Sequence, residues 1–242
     1  MADWRRMFPY FGGKRRLAQT YPAPLYDTIV EPFAGGAGYA MHWMKARPDL
    51  RLIVVELNPL VAELWRWLLQ PGAAERVAAL PDVKAGQRTS NPLVALTNSS
   101  TSPINSIINS GDCAITKWHE ENWPRHRAEI AQRCRDLRGR VQVIQGQYTD
   151  APDLQATWFV DPPYQYQGWV YKESANNIDY SQLGEWCLNR SGQTIVTEAE
   201  PANWLPFEKH RRSRDTKGQL KTELVWYDPE HAPLRLFGSE KA

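Results

Sequence analysis

Residues 28–41 read Thr28-Ile29-Val30-Glu31-Pro32-Phe33-Ala34-Gly35-Gly36-Ala37-Gly38-Tyr39-Ala40-Met41. A β-prone apolar run meets a turn with three glycines and then a helix-forming segment, Tyr39–Lys45. Glycine lets the backbone reverse tightly and lets a ligand come close to the main chain. The stretch therefore reads as strand, turn and helix. Similar short apolar runs lie at Leu52–Val55, Val141–Ile144, Thr157–Val160, Thr194–Thr197 and Leu224–Tyr227. They are too short for helices and suit buried strands. Helix-like segments follow several of them, at Pro59–Leu69 and Tyr180–Asn189. In the first of these, Leu60, Leu64, Trp67 and Leu68 share one face, and Pro59 suits the first turn. Alternation of this kind predicts an α/β, Rossmann-like sheet with helices on both faces. Phe207–Arg214 and Lys221–Asp228, joined through Lys217-Gly218, predict an antiparallel hairpin at its end.

One region breaks the alternation. From Lys84 to Trp123 the chain is rich in Ser, Asn, Thr, Gly and Pro, and a helix is expected over Pro124–Leu137. The organisation read from this is a main domain over 1–83 and 139–242, interrupted by an insertion over 84–138. Long loops of such composition are functional or disordered. The alternative for 84–123 is a plain surface loop.

Composition excludes several classes. The 242 residues are 42% hydrophobic and 23% charged, the make-up of a globular chain and not of a disordered one. No run of 18 apolar residues exists, so a membrane span is not expected. The first residues lack an apolar leader, so a cytoplasmic location is expected. Cys113, Cys134 and Cys187 are scattered, and no His, Cys or acidic spacing matches a metal site, so neither disulfides nor a metal is expected. Net charge is only +2, but cations cluster. Arg5, Arg6, Lys14, Arg15 and Arg16 face one acid, Asp3, in residues 1–16. Arg125, Arg127, Arg133, Arg135, Arg138 and Arg140 outnumber Glu129 and Asp136, as Lys209, Arg211, Arg212, Arg214, Lys217 and Lys221 outnumber Glu208 and Asp215. A chain so segregated can turn a basic face to a polyanion while staying near neutral. Any one cluster alone reads better as a solvated surface.

Three signals carry chemistry. The first is the turn Glu31–Gly38. The second is Glu56, at the end of the next strand, where a carboxylate can accept both ribose hydroxyls of an adenosine-containing cofactor. The turn lacks the third glycine of a dinucleotide site, and around Gly12-Gly13-Lys14 the P-loop pattern fails at Phe8 and Arg15. A ribose-bearing cofactor without phosphates fits better, and S-adenosylmethionine is the obvious one. The third signal is Asp161-Pro162-Pro163-Tyr164, after Phe159-Val160. Two prolines lock the backbone and carry no N–H, so carbonyls in this turn can face a ligand. Asp161 and a proline carbonyl then make a two-acceptor clamp for an exocyclic amine, and Tyr164 offers a face for stacking the base. Positioning is what such chemistry needs most.

In this combination the chain resembles the Dam-like, alpha-class DNA adenine N6-methyltransferases. Phe8-Pro9-Tyr10-Phe11-Gly12-Gly13-Lys14 is similar to the family's aromatic-x-Gly-Gly-Lys motif, Glu31–Gly38 to its cofactor loop, Glu56-Leu57-Asn58 to its ribose motif, and Asp161–Tyr164 to its Asp-Pro-Pro-Tyr. Glu223-Leu224-Val225-Trp226 resembles its final strand. The resemblance covers most of the chain outside about 84–138. It implies S-adenosylmethionine as cofactor, held by Tyr10, Lys14, Glu31, Phe33, Gly35, Gly36, Gly38, Glu56, Gln147 and Asp161. It implies catalysis at Asp161, Pro162, Pro163 and Tyr164. Two departures stand out: Ala37, where many relatives carry glycine, and Gln147, where relatives place an Asp against the adenine ring.

The resemblance also gives the insertion a role, since the alpha arrangement places target recognition between the cofactor loop and Asp-Pro-Pro-Tyr. Glu56 and Asp161 are 105 positions apart, more than one helix and one strand require. The expected partner is double-stranded DNA, contacted by Lys14, Arg125, Arg127, Arg211, Arg212, Arg214 and Lys217, with a target adenine flipped from the stack. Restriction–modification, a bacterial or phage-infected host, and a monomer or weak dimer complete the expectation. Cytosine N4, RNA adenine, or a DNA-binding relative without catalysis are the alternatives. Relatives acting on cytosine usually carry Ser in place of Asp161.

Overall fold

The computed structural model describes residues 7–10, 14, 17–98, 112–166, 178–214 and 220–232. The fold is α/β, with mostly parallel strands and antiparallel strands at the end of the chain. It divides into two compact units, Met1–Ala23 with Asp27–Pro152, and Pro24–Tyr26 with Asp153–Ala242. Among the described residues no helix is long and apolar enough to cross a membrane.

In the first unit β1 (Thr28–Glu31) leads through the glycine turn into α1 (Gly38–Ala46) and then β2 (Arg51–Glu56). β1 and β2 are parallel, pairing Thr28 with Arg51 through Glu31 with Val54. After β2 come α2 (Pro59–Leu69), α3 (Ala73–Ala78), β3 (Arg88–Thr89), α4 (Pro92–Asn98), β4 (Cys113–Ala114), α5 (Lys117–Asp136) and β5 (Val141–Gln145). β5 joins the other edge of β2 in parallel, so Glu31, Glu56 and Gln145 all end strands at one edge of this sheet. β1 and β2 are buried almost throughout, as expected of parallel strands covered on both faces.

The caps explain where these helices begin. Asn58 accepts from the Leu60 N–H at 3.0 Å and Pro59 fills the first helical position, so α2 spans the range its sequence predicts. Its buried stripe is Val61, Leu64, Trp65 and Leu68. That is rotated from the face expected; Trp67 lies partly outside the core and receives the Arg76 guanidinium over its ring.

The expected helix over Pro124–Leu137 starts earlier, at Lys117. Thr116 caps it by accepting from the His119 N–H at 3.2 Å, and Pro124 lies inside it. Burial of His119 and Trp123 holds the extra turns in place: His119 Nε2 meets the Thr97 hydroxyl at 2.8 Å, and the Trp123 indole donates to the Pro81 carbonyl. Part of the stretch expected to be loop is thus regular, with α4 and a short antiparallel β3–β4 pair. Asn98 fastens it, donating to the Ala114 carbonyl at 2.7 Å and accepting the Thr116 N–H at 2.9 Å.

In the second unit β6 (Ala156–Val160) and β7 (Gly192–Ala199) are parallel, with α6 (Tyr180–Leu188) between them in sequence. β8 (Glu208–Arg214) and β9 (Leu220–Tyr227) form the expected antiparallel hairpin, and β9 lies between β7 and β8. The Lys217-Gly218 turn lies outside the described residues. Trp158, fully buried, donates its indole N–H to the Ser191 carbonyl, and Arg190 lies over the rings of Trp158 and Trp186.

Candidate functional site

In the first unit the expected cofactor residues collect at the strand ends. Glu56 is buried, and both carboxylate oxygens accept main-chain N–H groups: Gly35 at 3.0 Å and Asn58 at 2.9 Å. Burial outweighs those bonds and pushes its pKa up to about 7. Glu31, also buried, accepts the Ala40 N–H at 2.7 Å, supplying the α1 cap that the residue before the helix cannot. That residue is Ala37, left-handed at φ 51°, a conformation costing a non-glycine residue about 1–2 kcal/mol. A glycine at this position would relieve that strain; the alanine here carries it.

Gly35 has a tighter reason to be glycine. Its φ is +47°, and a methyl group there would sit 2.5 Å from Cδ1 of Tyr10. Its carbonyl accepts the buried Trp65 indole N–H at 2.7 Å, and the Gly36 carbonyl accepts the Met7 N–H. Gly38 opens α1. Phe33 stacks on Tyr148 with ring centres 5.6 Å apart. Gln147 is exposed and caps the short turn Tyr148–Asp150, its side chain accepting the Asp150 N–H while Asp150 accepts its own. Lys14 is buried. The exposed Leu57, which sequence reasoning passed over, stands next to Glu56. Gly12 and Gly13 lie outside the described residues.

In the second unit Asp161 follows directly on β6, and its Oδ1 accepts the Thr197 hydroxyl at 2.7 Å. Of the two proline carbonyls, that of Pro163 accepts the hydroxyl of Tyr180, the first residue of α6. Tyr164 is half-buried. Gln165, next in the chain, donates its N–H to Glu198 Oε2 at 3.1 Å; the same oxygen accepts the Trp204 indole N–H at 3.0 Å, and Oε1 accepts the Ala199 N–H. Glu198 is wholly buried, and desolvation raises its pKa. Burial likewise raises the Tyr180 phenol, keeping it a donor. Thr197, Glu198 and Tyr180 were not anticipated as site residues. For Thr197 and Glu198 the available signal was the rule that identified Glu56: polar side chains at the carboxyl end of a parallel strand.

The arginines of the basic clusters separate into two groups. Arg127 donates to the Leu80 carbonyl and pairs with Asp82 at 3.0 Å. Arg133 is buried, donating to the Met7 carbonyl and pairing with Glu129 at 3.3 Å. Arg140 donates to the carbonyls of Met44, Arg47, Leu50 and Asp136. Arg125 is exposed beside Glu129. Arg211 and Arg212 are exposed on the edge strand β8, where Arg214 ends the strand. Lys217 and residues 1–6 lie outside the described residues.

No protein-family model matches the chain, and no curated protein sequence matches it. Among solved structures, it is similar to a SAM dependent methyltransferase from Aquifex aeolicus, at 8% identity and a TM-score of 0.36, over 89% of each chain.

Proposed function

We propose that the chain is a DNA adenine N6-methyltransferase that uses S-adenosylmethionine. The observation that carries this reading is the Asp161–Tyr164 turn, a carboxylate and proline carbonyls locked at the end of a parallel strand. Tyr180 engages the Pro163 carbonyl, so the acceptor that partners Asp161 is the Pro162 carbonyl. Both accept hydrogens of an exocyclic amine, and Tyr164 stacks on the base. Held this way, the nitrogen lone pair would take the methyl group as its bond to the sulfonium breaks and a neutral thioether leaves, and the surplus proton on the amine would pass to solvent.

Glu31, Phe33, Gly35, Gly36, Gly38 and Glu56, with Tyr10, Lys14 and Gln147, hold the cofactor. The donor set fits such a ligand: Glu56 is an acceptor for ribose hydroxyls, and Phe33 and Leu57 give apolar contact for an adenine ring. When bound, the cofactor supplies an electrophilic methyl group. DNA binds through Arg125, Arg211, Arg212, Arg214 and Lys217, and residues 84–138 form the target-recognition segment.

The test is transfer of labelled methyl from S-adenosylmethionine to unmethylated genomic DNA and, separately, to RNA, followed by nucleoside analysis. N6-methyl-2′-deoxyadenosine from the wild type, with loss of transfer in Asp161→Ala, is expected. Equal incorporation by both proteins overturns the role of Asp161, and label in cytosine or only in RNA moves the reading to those acceptors.

A further inference from the structure

We propose that Thr197 and Glu198, at the carboxyl end of β7, are positioning residues that hold the Asp161–Tyr164 turn in its working geometry. The inference rests on the methyltransferase reading.

β6 and β7 pair in parallel up to Val160 and Val196, so Asp161 and Thr197 occupy the next rung. There the ladder passes from main-chain to side-chain bonding: the Thr197 hydroxyl, with no exposure to solvent, donates to Asp161 Oδ1 at 2.7 Å. A β-branched side chain on a strand has a stiff χ1, so the position of this hydroxyl oxygen is set by the sheet itself. One oxygen of Asp161 is thereby fixed, and with it the plane of the carboxyl group.

Glu198 acts on the main chain. It accepts the N–H of Gln165, the residue after Tyr164, and is braced by the Ala199 N–H and the Trp204 indole. A carboxylate with no exposed surface is costly unless several donors converge on it, as they do here. Tyr180 adds a third hold at Pro163. The turn is therefore tied at its carboxylate, its second proline and its exit. In-line transfer tolerates little error, since a misplacement of about 1 Å can cost about a hundredfold in rate.

The experiment measures kcat and the KM for S-adenosylmethionine with unmethylated genomic DNA in excess. It compares wild type, Thr197→Val, Thr197→Ser, Glu198→Gln and Asp161→Ala, with melting curves for each. Thr197→Val keeps the shape and removes the donor. Loss of a hydrogen bond to a charged group predicts a kcat lower by about tenfold to a hundredfold. KM is expected to be unchanged and Thr197→Ser to recover most of kcat. Glu198→Gln, which can no longer accept on both oxygens, is expected to lower kcat likewise. A Thr197→Val enzyme with wild-type kcat, or a Thr197→Ser enzyme no better than the valine variant, overturns the inference and leaves the methyltransferase reading intact. Absence of transfer by wild type overturns that reading and the inference with it, whereas full transfer by Asp161→Ala overturns the role of Asp161 and the inference that depends on it.

Discussion

Glu56 shows how one buried carboxyl couples stability to pH. Its ordinary pKa is 4.5, and burial raises it to about 7 in the folded chain. Between those values the native state keeps a proton that the unfolded chain has released, so stability falls as pH rises through this window. The contribution is fully present below the unfolded pKa and lost above about 7. At about 1.4 kcal/mol per pKa unit, the swing is on the order of 3 kcal/mol. Glu56→Gln is expected to flatten the denaturation free energy across that window; a pH dependence identical to wild type contradicts it. On the proposed function, the ionised carboxylate is the better acceptor for ribose hydroxyls. Calorimetry should therefore show affinity for S-adenosylmethionine strengthening as pH rises through 7, with this trend lost in the variant. Glu198 is raised by burial as well, so its contribution to the pH dependence has the same sign.

Elements are placed by their ends, and α5 is the clearest case. A proline within a polar stretch reads as a helix start, yet Thr116 caps the helix before Lys117 and Pro124 becomes interior. The missing N–H and the ring clash at Pro124 are outweighed by burial of His119 and Trp123, which requires neighbours that no local pattern reveals. Thr116→Ala removes the cap and should lower stability by about 1 kcal/mol, read as a lower denaturant midpoint. The Thr116 hydroxyl also donates to Asn98, so an alanine that changes nothing would mean neither bond contributes. The other end of α5 is tied by Arg140, which joins the Asp136 carbonyl to Met44 and Arg47 at the end of α1. Cations at helix C-termini are favoured by the unpaired carbonyls there. Arg140→Ala is expected to cost about 2–3 kcal/mol, from bonds between a charged donor and carbonyls.

Over the whole molecule, neither net charge nor a count of arginines tells which cations are exposed. Arg133 and Arg140 spend their donors on carbonyls and one acid inside the first unit, whereas Arg211 and Arg212 are exposed on an edge strand. The two kinds should respond differently. Removing both Arg211 and Arg212 should weaken binding to a DNA duplex and reduce the salt slope by about 2, with melting temperature unchanged. Arg140→Ala should do the reverse. Fluorescence anisotropy across a salt series, paired with melting curves, separates them, and an unchanged salt slope in the double variant excludes β8 from the DNA face.

Much of this was written locally in the sequence. The glycine turn, the strand-end Glu56, the Pro59 start of α2 and the Asp-Pro-Pro-Tyr turn each need only a few consecutive residues, because φ preferences, caps and strand length act over that range. The α/β class and the terminal hairpin followed from them. Contacts between distant residues were decided by tertiary structure alone: Thr197 against Asp161, Glu198 under Gln165, Arg140 across two helix ends. A hydroxyl or guanidinium has no preferred partner in the sequence. It acquires one only when strand register and burial bring an acceptor within bonding distance and exclude the water that would otherwise serve.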